Sequence, residues 1–124
     1  MNLAITEIKA FVPASDFEKS KAFYEAIGFE IPWSSDNLAY LRRGEAAFLL
    51  QAFDDRAFIE NYMMHLLVHN ADDWHAHVVA SGVVERFGVR LTAPEDRPWA
   101  MRDFTLSDPA GVCWRIGQNI PARG

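Results

Sequence analysis

The feature that most constrains this chain is an internal repeat: a short β-branched and aromatic run, a helical stretch closed by glycine, and three more short apolar runs occur twice. In the first copy, ITEIKAFV has the composition of a strand, and Pro13 is expected to end its ladder because proline donates no backbone hydrogen bond. Ser15 with Glu18 forms an S-x-x-E capping box. Phe17, Tyr24 and Ile27 follow at helical spacing, and Gly28 supplies a left-handed stop. FEIPW, NLAYLRR and EAAFLLQAF then read as three strands, with Gly44 and Glu45 forming a two-residue turn between the last two.

The second copy keeps the order. YMMHLLVH reads as a strand, Asn70 caps a helix through ADDWHAHVVAS, and Gly82 closes it. ERFGVRL, MRDFTLS and VCWRIGQ read as three strands, the last two joined by a type I turn at Asp108-Pro109-Ala110-Gly111. Val12 followed by Asp16 corresponds to Val68 followed by Asp72. The expected fold class is α+β, with two βαβββ modules whose curved mixed sheets enclose a crevice. Neither sheet can bury its apolar face alone. A single domain is expected over residues 1–124, its first module over 1–60 and its second over 61–120.

Composition removes several function classes. Half of the 124 residues are apolar, enough for one core. No run approaches the roughly 20 apolar residues of a membrane span, and MNLAITEIKAF lacks a signal-peptide pattern, so the expected location is cytoplasmic with no membrane partner. A net charge of −5 with the 12 basic residues scattered argues against a nucleic-acid partner. The lone Cys113 rules out an internal disulfide and reads as a buried, inert thiol.

Two motifs give the repeat a relative. Phe23, Tyr24, Gly28 and Phe29 fit an "FY…lGF" pattern, and Asp108, Pro109 and Gly111 fit a "DPxG" pattern before the last strand. Together, over about residues 4 to 118, the chain resembles the glyoxalase/bleomycin-resistance/dioxygenase (vicinal oxygen chelate) superfamily, and in character its metal-free bleomycin-resistance branch. The resemblance implies that enzymes of the family hold a divalent metal with His and Glu side chains from four strands. Matched residue by residue, those positions fall here on Lys9, on Leu49 or Gln51, on Met63 and on Arg115. None is a competent ligand for such a metal, and Lys9 and Arg115 would repel a dication and attract an anionic or strongly polar group. No metal and no other cofactor is therefore expected.

Other residues are weighed individually. His65 and His69 mimic H-E-x-x-H spacing, but Leu66 replaces the glutamate, and four residues of strand span about 13 Å, too far for both to meet one zinc at about 2.1 Å. His65 shares parity with Met63 and can hydrogen-bond a ligand in the cavity. His75 and His77 read as solvated helix residues. Gln51 offers an amide donor and acceptor. Trp33, Trp74 and Trp114 read as core, whereas Trp99 sits in the proline-rich loop APEDRPWAMR, where an aromatic side chain can wall a pocket. Arg42-Arg43 is assigned no function.

The ligand-binding set is thus Lys9, Leu49, Gln51, Met63, His65, Trp99 and Arg115, with no catalytic residue. The leading expectation is a metal-independent small-molecule-binding protein, a homodimer, that holds a polar or anionic ligand such as an antibiotic between modules. The alternative is an enzyme: a glyoxalase-like lyase or isomerase, or a dioxygenase, with shifted metal ligands, or a metal-free catalyst using His65 or Lys9 as base. A third reading is an interaction module whose cavity is filled by Met63, Phe11 and Trp114.

Overall fold

A computed structural model describes residues 1–122, so the last two residues of the expected domain lie outside the described residues. The first module comprises β1 (Phe11–Ala14), α1 (Phe17–Ala26), β2 (Glu30–Ser34), β3 (Leu38–Arg43) and β4 (Ala46–Ala52). The short α2 (Arg56–Glu60) leads to the second, made of β5 (Met63–Leu67), α3 (Ala71–Ser81), α4 (Val83–Phe87), β6 (Glu95–Arg97), β7 (Met101–Ser107) and β8 (Cys113–Asn119). Each module forms a four-stranded mixed sheet, in the order β1-β4-β3-β2 and β5-β8-β7-β6. The first strand of each runs parallel to the last. None of the helices among the described residues is long and apolar enough to cross a membrane.

Capping chemistry sets the helix ends. Asp16, rather than Ser15, is the N-cap of α1, and its carboxylate accepts from the Lys19 N–H at 3.1 Å. Gly28 lies just past the end of that helix at φ +105°, and the Arg43 guanidinium occupies the space a β-carbon would take, so glycine is required there twice over. Asn70 caps α3 by accepting from the Asp73 N–H at 2.9 Å, and Gly82 closes it in the left-handed conformation.

Two strand expectations are corrected. Pro13 does not end the first strand but lies within it, opposite Gln51, because β1 is an edge strand where a missing N–H costs no ladder bond. Most of ERFGVRL is not a strand, although Leu91 at its end makes an isolated antiparallel bridge to Leu106 of β7. After Gly82 the chain re-enters a helix, with the Arg86 N–H donating to the Gly82 carbonyl at 3.0 Å and Val83 fully buried. The strand pairing with β7 is instead β6, inside the segment that reads as a proline-rich loop, so Trp99 sits on the β6–β7 turn.

The backs of the two modules share one core. Tyr24, Phe29 and Phe48 from the first meet Trp114 from the second, with ring centroids 5.2 to 6.2 Å from the indole. A buried polar chain runs through this cluster. The Trp114 indole N–H donates to the Tyr24 hydroxyl at 2.8 Å, and the hydroxyl donates to Asp108 Oδ2 at 2.6 Å. Asp108 Oδ1 accepts from the backbone N–H groups of Ala110, Gly111 and Val112 at 2.9 to 3.0 Å. Burial raises the pKa of both Asp108 and Tyr24, against the hydrogen bonds that favour the Asp108 anion. The two sequence motifs are thus one physical contact, since the tyrosine of the first signature is held by the aspartate of the second.

Candidate functional site

With the backs buried against helices and each other, the opposite faces of both sheets are open, and strand register decides which side chains they carry. In the first sheet Phe11 and Tyr40 pair with Leu49, Pro13 and Leu38 pair with Gln51, and Trp33 pairs with Tyr40. These alternate with buried Val12, Ala39, Leu41, Phe48 and Leu50 and lie on the open face, where Pro13 is itself buried. In the second sheet His65 pairs with Arg115, Arg115 with Thr105, Met63 with Cys113, Asp103 with Gly117 and Arg97 with Met101. Their neighbours Phe104, Leu106, Trp114 and Ile116 are buried.

The residues singled out from sequence separate accordingly. Leu49 and Gln51 stand on the first open face, where Lys9 joins them by lying over the Tyr40 ring, 5.3 Å from its centroid. Met63, His65 and Arg115 stand on the second. Trp99, 60% exposed, projects from the β6–β7 turn beside Ala100, whose φ of 61° is the positive value among the non-glycine residues described. The main cavities do not gather the first group with the second. One of about 530 Å³ lies between the β3–β4 turn and the start of α3, floored by Phe29, Leu66, Val68 and Trp74, and contains none of the seven. His65 lines a smaller one of about 250 Å³ with Phe48 and Trp114.

Electrostatics on the two faces differ in kind. Lys9 is paired with Glu7 at 3.4 Å, and Glu7 also accepts from the Tyr40 hydroxyl at 3.1 Å, so this cation is matched one to one. On the second face one carboxylate serves two guanidinium groups: Asp103 accepts from Arg97 Nε at 2.8 Å and from Arg115 at 3.0 Å. Asp103 is wholly buried beneath them. Burial pushes its pKa up, but the hydrogen bonds from Arg97 and Arg115 outweigh that and leave it lowered, while the bond to Asp103 raises that of Arg97. Glu95 pairs with the outer side of Arg97 at 3.0 Å. His65 Nε2 lies 3.4 Å from the Met101 sulfur.

Several side chains behave differently from their sequence reading. Cys113 is only partly buried, because its parity places it on the open face. Trp33, 51% exposed, is not core but joins equally exposed Phe11 on the first open face; simple parity with core-packed Ile31 fails because the β2–β3 register shifts between Glu30 and Trp33. His77 donates to the Ile27 carbonyl at 2.8 Å, and His75 packs edge-on against Phe104 with centroids 5.2 Å apart, so neither is simply solvated. Arg43 donates to the Gly28 carbonyl at 3.1 Å and lies 5.2 Å from the Trp74 ring centroid, which ties the first module to α3. Arg97 and Asp103 were missed because their partnership depends on where β6 falls.

The residues that the resemblance matches to the family's metal positions do not fit a metal. They present an amine already paired with Glu7, an alkyl chain or an amide, a thioether and a guanidinium, and among the described residues no three of His, Cys, Asp and Glu come together as a ligand group.

Comparison with known proteins agrees with the architecture. Residues 5–116 match the family model described as "Glyoxalase/Bleomycin resistance protein/Dioxygenase superfamily". The chain is 26% identical over 111 residues to a bleomycin resistance protein of Klebsiella pneumoniae, covering 87% of this chain and 88% of that protein. A crystal structure of a bleomycin-binding protein complexed with bleomycin is 25% identical, with a TM-score of 0.80 over 93% of this chain and 99% of that one. The lactoylglutathione lyase of Agrobacterium tumefaciens, 17% identical, shares the fold alone, with a TM-score of 0.66 over 95% of each chain.

Proposed function

The chain belongs to the glyoxalase/bleomycin resistance protein/dioxygenase superfamily, and from that premise we propose that it binds a small polar or anionic molecule, an antibiotic among the candidates, without a metal. The observation that carries this reading is the donor set at the family's metal positions, where Lys9, Gln51 or Leu49, Met63 and Arg115 replace imidazole and carboxylate. The relatives support it, since the two with the highest identity quoted above bear the names of bleomycin-resistance and bleomycin-binding proteins. Exposed Phe11, Trp33 and Trp99 supply stacking area, and Gln51, His65 and Arg115 supply polar contacts. No residue is assigned a catalytic role, and a cytoplasmic location is part of the same reading.

We further propose that the working form is a homodimer. Both open faces are uncovered in the single chain, and residues 1–10 leave the first sheet as an extended arm with Leu3, Ile5 and Ile8 at 80, 87 and 91% exposure. Exposed apolar residues on this arm, together with the edge position of β5 in the second sheet, favour a second copy as the cover. Under this reading the 1–60 and 61–120 modules of different copies complete each crevice.

The test is a thermal-shift and calorimetric screen of bleomycin, other antibiotics and anionic metabolites, with Ni²⁺, Zn²⁺, Mn²⁺ and Fe²⁺ as separate arms. A ligand at a hundred times its Kd should stabilise the protein by about 2.7 kcal/mol. Retention of one equivalent of any of these metals per chain after dialysis would overturn the metal-independent reading. Light scattering that gives a monomer at micromolar concentration would overturn the dimer.

A further inference from the structure

We infer that Arg97 and Arg115, held by the single buried carboxylate of Asp103, form a carboxylate-recognition subsite on the open face of the second sheet. The inference rests on the binding function proposed above and names the chemistry of one end of the ligand.

A wholly buried aspartate on an otherwise open sheet face needs a reason. Ion pairs shielded from water cost about as much in desolvation as they return in attraction, so they are poor devices for stability alone. Asp103 is bound by Arg97 on β6 and Arg115 on β8. The sequence makes room for this arrangement. Gly117 is the register partner of Asp103, and a β-carbon at Gly117 would stand 2.7 Å from the Met101 sulfur and 3.3 Å from the Asp103 β-carbon.

Asp103 fixes both guanidinium planes while using one N–H group of each. A guanidinium has five N–H donors. Arg97 spends another on Glu95, and Arg115 makes no further bond among the described residues. The side chains of Arg97 and Arg115 retain 25% and 30% exposure, so the free donors are reachable. The two arginines are balanced in charge by Asp103 and by Glu95, which is 66% exposed at the outer edge, so what the pair offers a ligand is oriented, unused N–H donors rather than a surplus of charge. Planar forks pair bidentately with a carboxylate, which matches them better than a neutral hydroxyl. Met63, Met101 and Leu67 lie on the same face and offer soft apolar contact to the body of such a molecule. The class is therefore an apolar or aromatic carboxylate, its acid group on Arg97 and Arg115 and its body across the methionines. Asp103 is a positioning residue, and Arg97 joins Arg115 as a contact.

Calorimetry with 2-naphthoate and its neutral counterpart 2-naphthalenemethanol tests this on the unmodified protein. The carboxylate should bind at least about tenfold more tightly, and that margin should shrink as salt rises. Arg115→Lys keeps the charge and loses the fork, and should cut the margin about threefold or more. Arg97→Gln and Arg115→Gln should each abolish most of it while leaving the alcohol's affinity within twofold. Equal binding of both probes, or a margin unchanged in all three variants, overturns the inference and leaves the proposed function standing. If neither probe nor any compound of the earlier screen binds, both fall together.

Discussion

The two modules share one plan and put it to different uses. On their backs they are alike: each sheet lays alternate apolar side chains against a helix, and the rings of Tyr24, Phe29, Phe48 and Trp114 fuse the two layers into one core. On their open faces they diverge. The first carries Phe11, Trp33, Tyr40 and Leu49 with one locally neutralised lysine, and the second carries two arginines on a buried aspartate. Their first strands differ as well. β5 pairs along Met63–Leu67, whereas β1 begins only at Phe11, and the equivalent upstream residues of the first module leave the sheet. The difference teaches where the fold's constraints lie: packing fixes the backs, and the fronts and the leading arm are free to specialise.

The most damaging way to break this comparison is to strike the shared back. Asp108→Ala removes the acceptor for the Tyr24 hydroxyl and for three backbone N–H groups at once, all buried except the partly buried Gly111 N–H. Buried donors left without partners cost about 1–3 kcal/mol each, so a loss on the order of 4 kcal/mol is expected after relaxation, read as a lower urea midpoint. The remaining transition should stay single, because the ring cluster still joins the modules. Two resolved transitions would show that the modules are independent units and that the common core is no more than a contact.

The second prediction sharpens the contrast on the fronts. Gly117→Ala pushes a methyl group into Met101 and Asp103, at a cost of about 2 kcal/mol, and should disturb the arginine pair. Trp33→Ser on the first front, half exposed, should stay within about 0.5 kcal/mol of the parent. Equal losses at both positions would contradict the view that only the second front is internally braced.

Acid separates the two buried aspartates of the second module. The Asp103 carboxyl is lowered in the folded state, so its contribution is present above the unfolded value of about 3.9 and is lost as pH falls through the folded value. Asp108 is raised, so its contribution is fully present below the unfolded value and is lost as pH rises through the folded one. Urea midpoints between pH 5 and pH 3 should therefore fall less steeply in Asp103→Asn than in the parent. An identical slope would mean that the arginines do not stabilise the folded carboxylate.

Much of this was legible in the sequence. Glycine stops, capping residues and turn chemistry located α1, α3, β3, β4, β7 and β8, because those signals are local. The strand before β7 was misplaced because ERFGVRL has strand composition, yet Val83 is drawn into the core and a helix forms from it. That error hid Arg97, and with it the partner arrangement of Asp103. Parity placed Met63 and His65 on one face, where the register also sets Arg115, but sequence could not reveal that Arg115 shares the buried carboxylate of Asp103 with Arg97. That pairing is set by register across the sheet and by long side chains reaching between strands, and no spacing along the chain encodes it, whereas the Lys9–Glu7 pair is local, two residues apart.

The smallest effect concerns the arm, and it depends on concentration. Ile5 and Ile8 are 87 and 91% exposed in the single chain, so replacing both with serine removes almost no contact within it. Dilute enough to be monomeric, the double variant should unfold within about 0.5 kcal/mol of the parent. If the arm covers a second copy, the two proteins should part as concentration rises, since association stabilises only the chain that can associate. The parent's melting temperature should then climb between nanomolar and micromolar protein while the variant's stays flat. Parallel behaviour across that range would show that the arm is a solvated extension. The first module's departure from the plan of the second would then have no bearing on assembly.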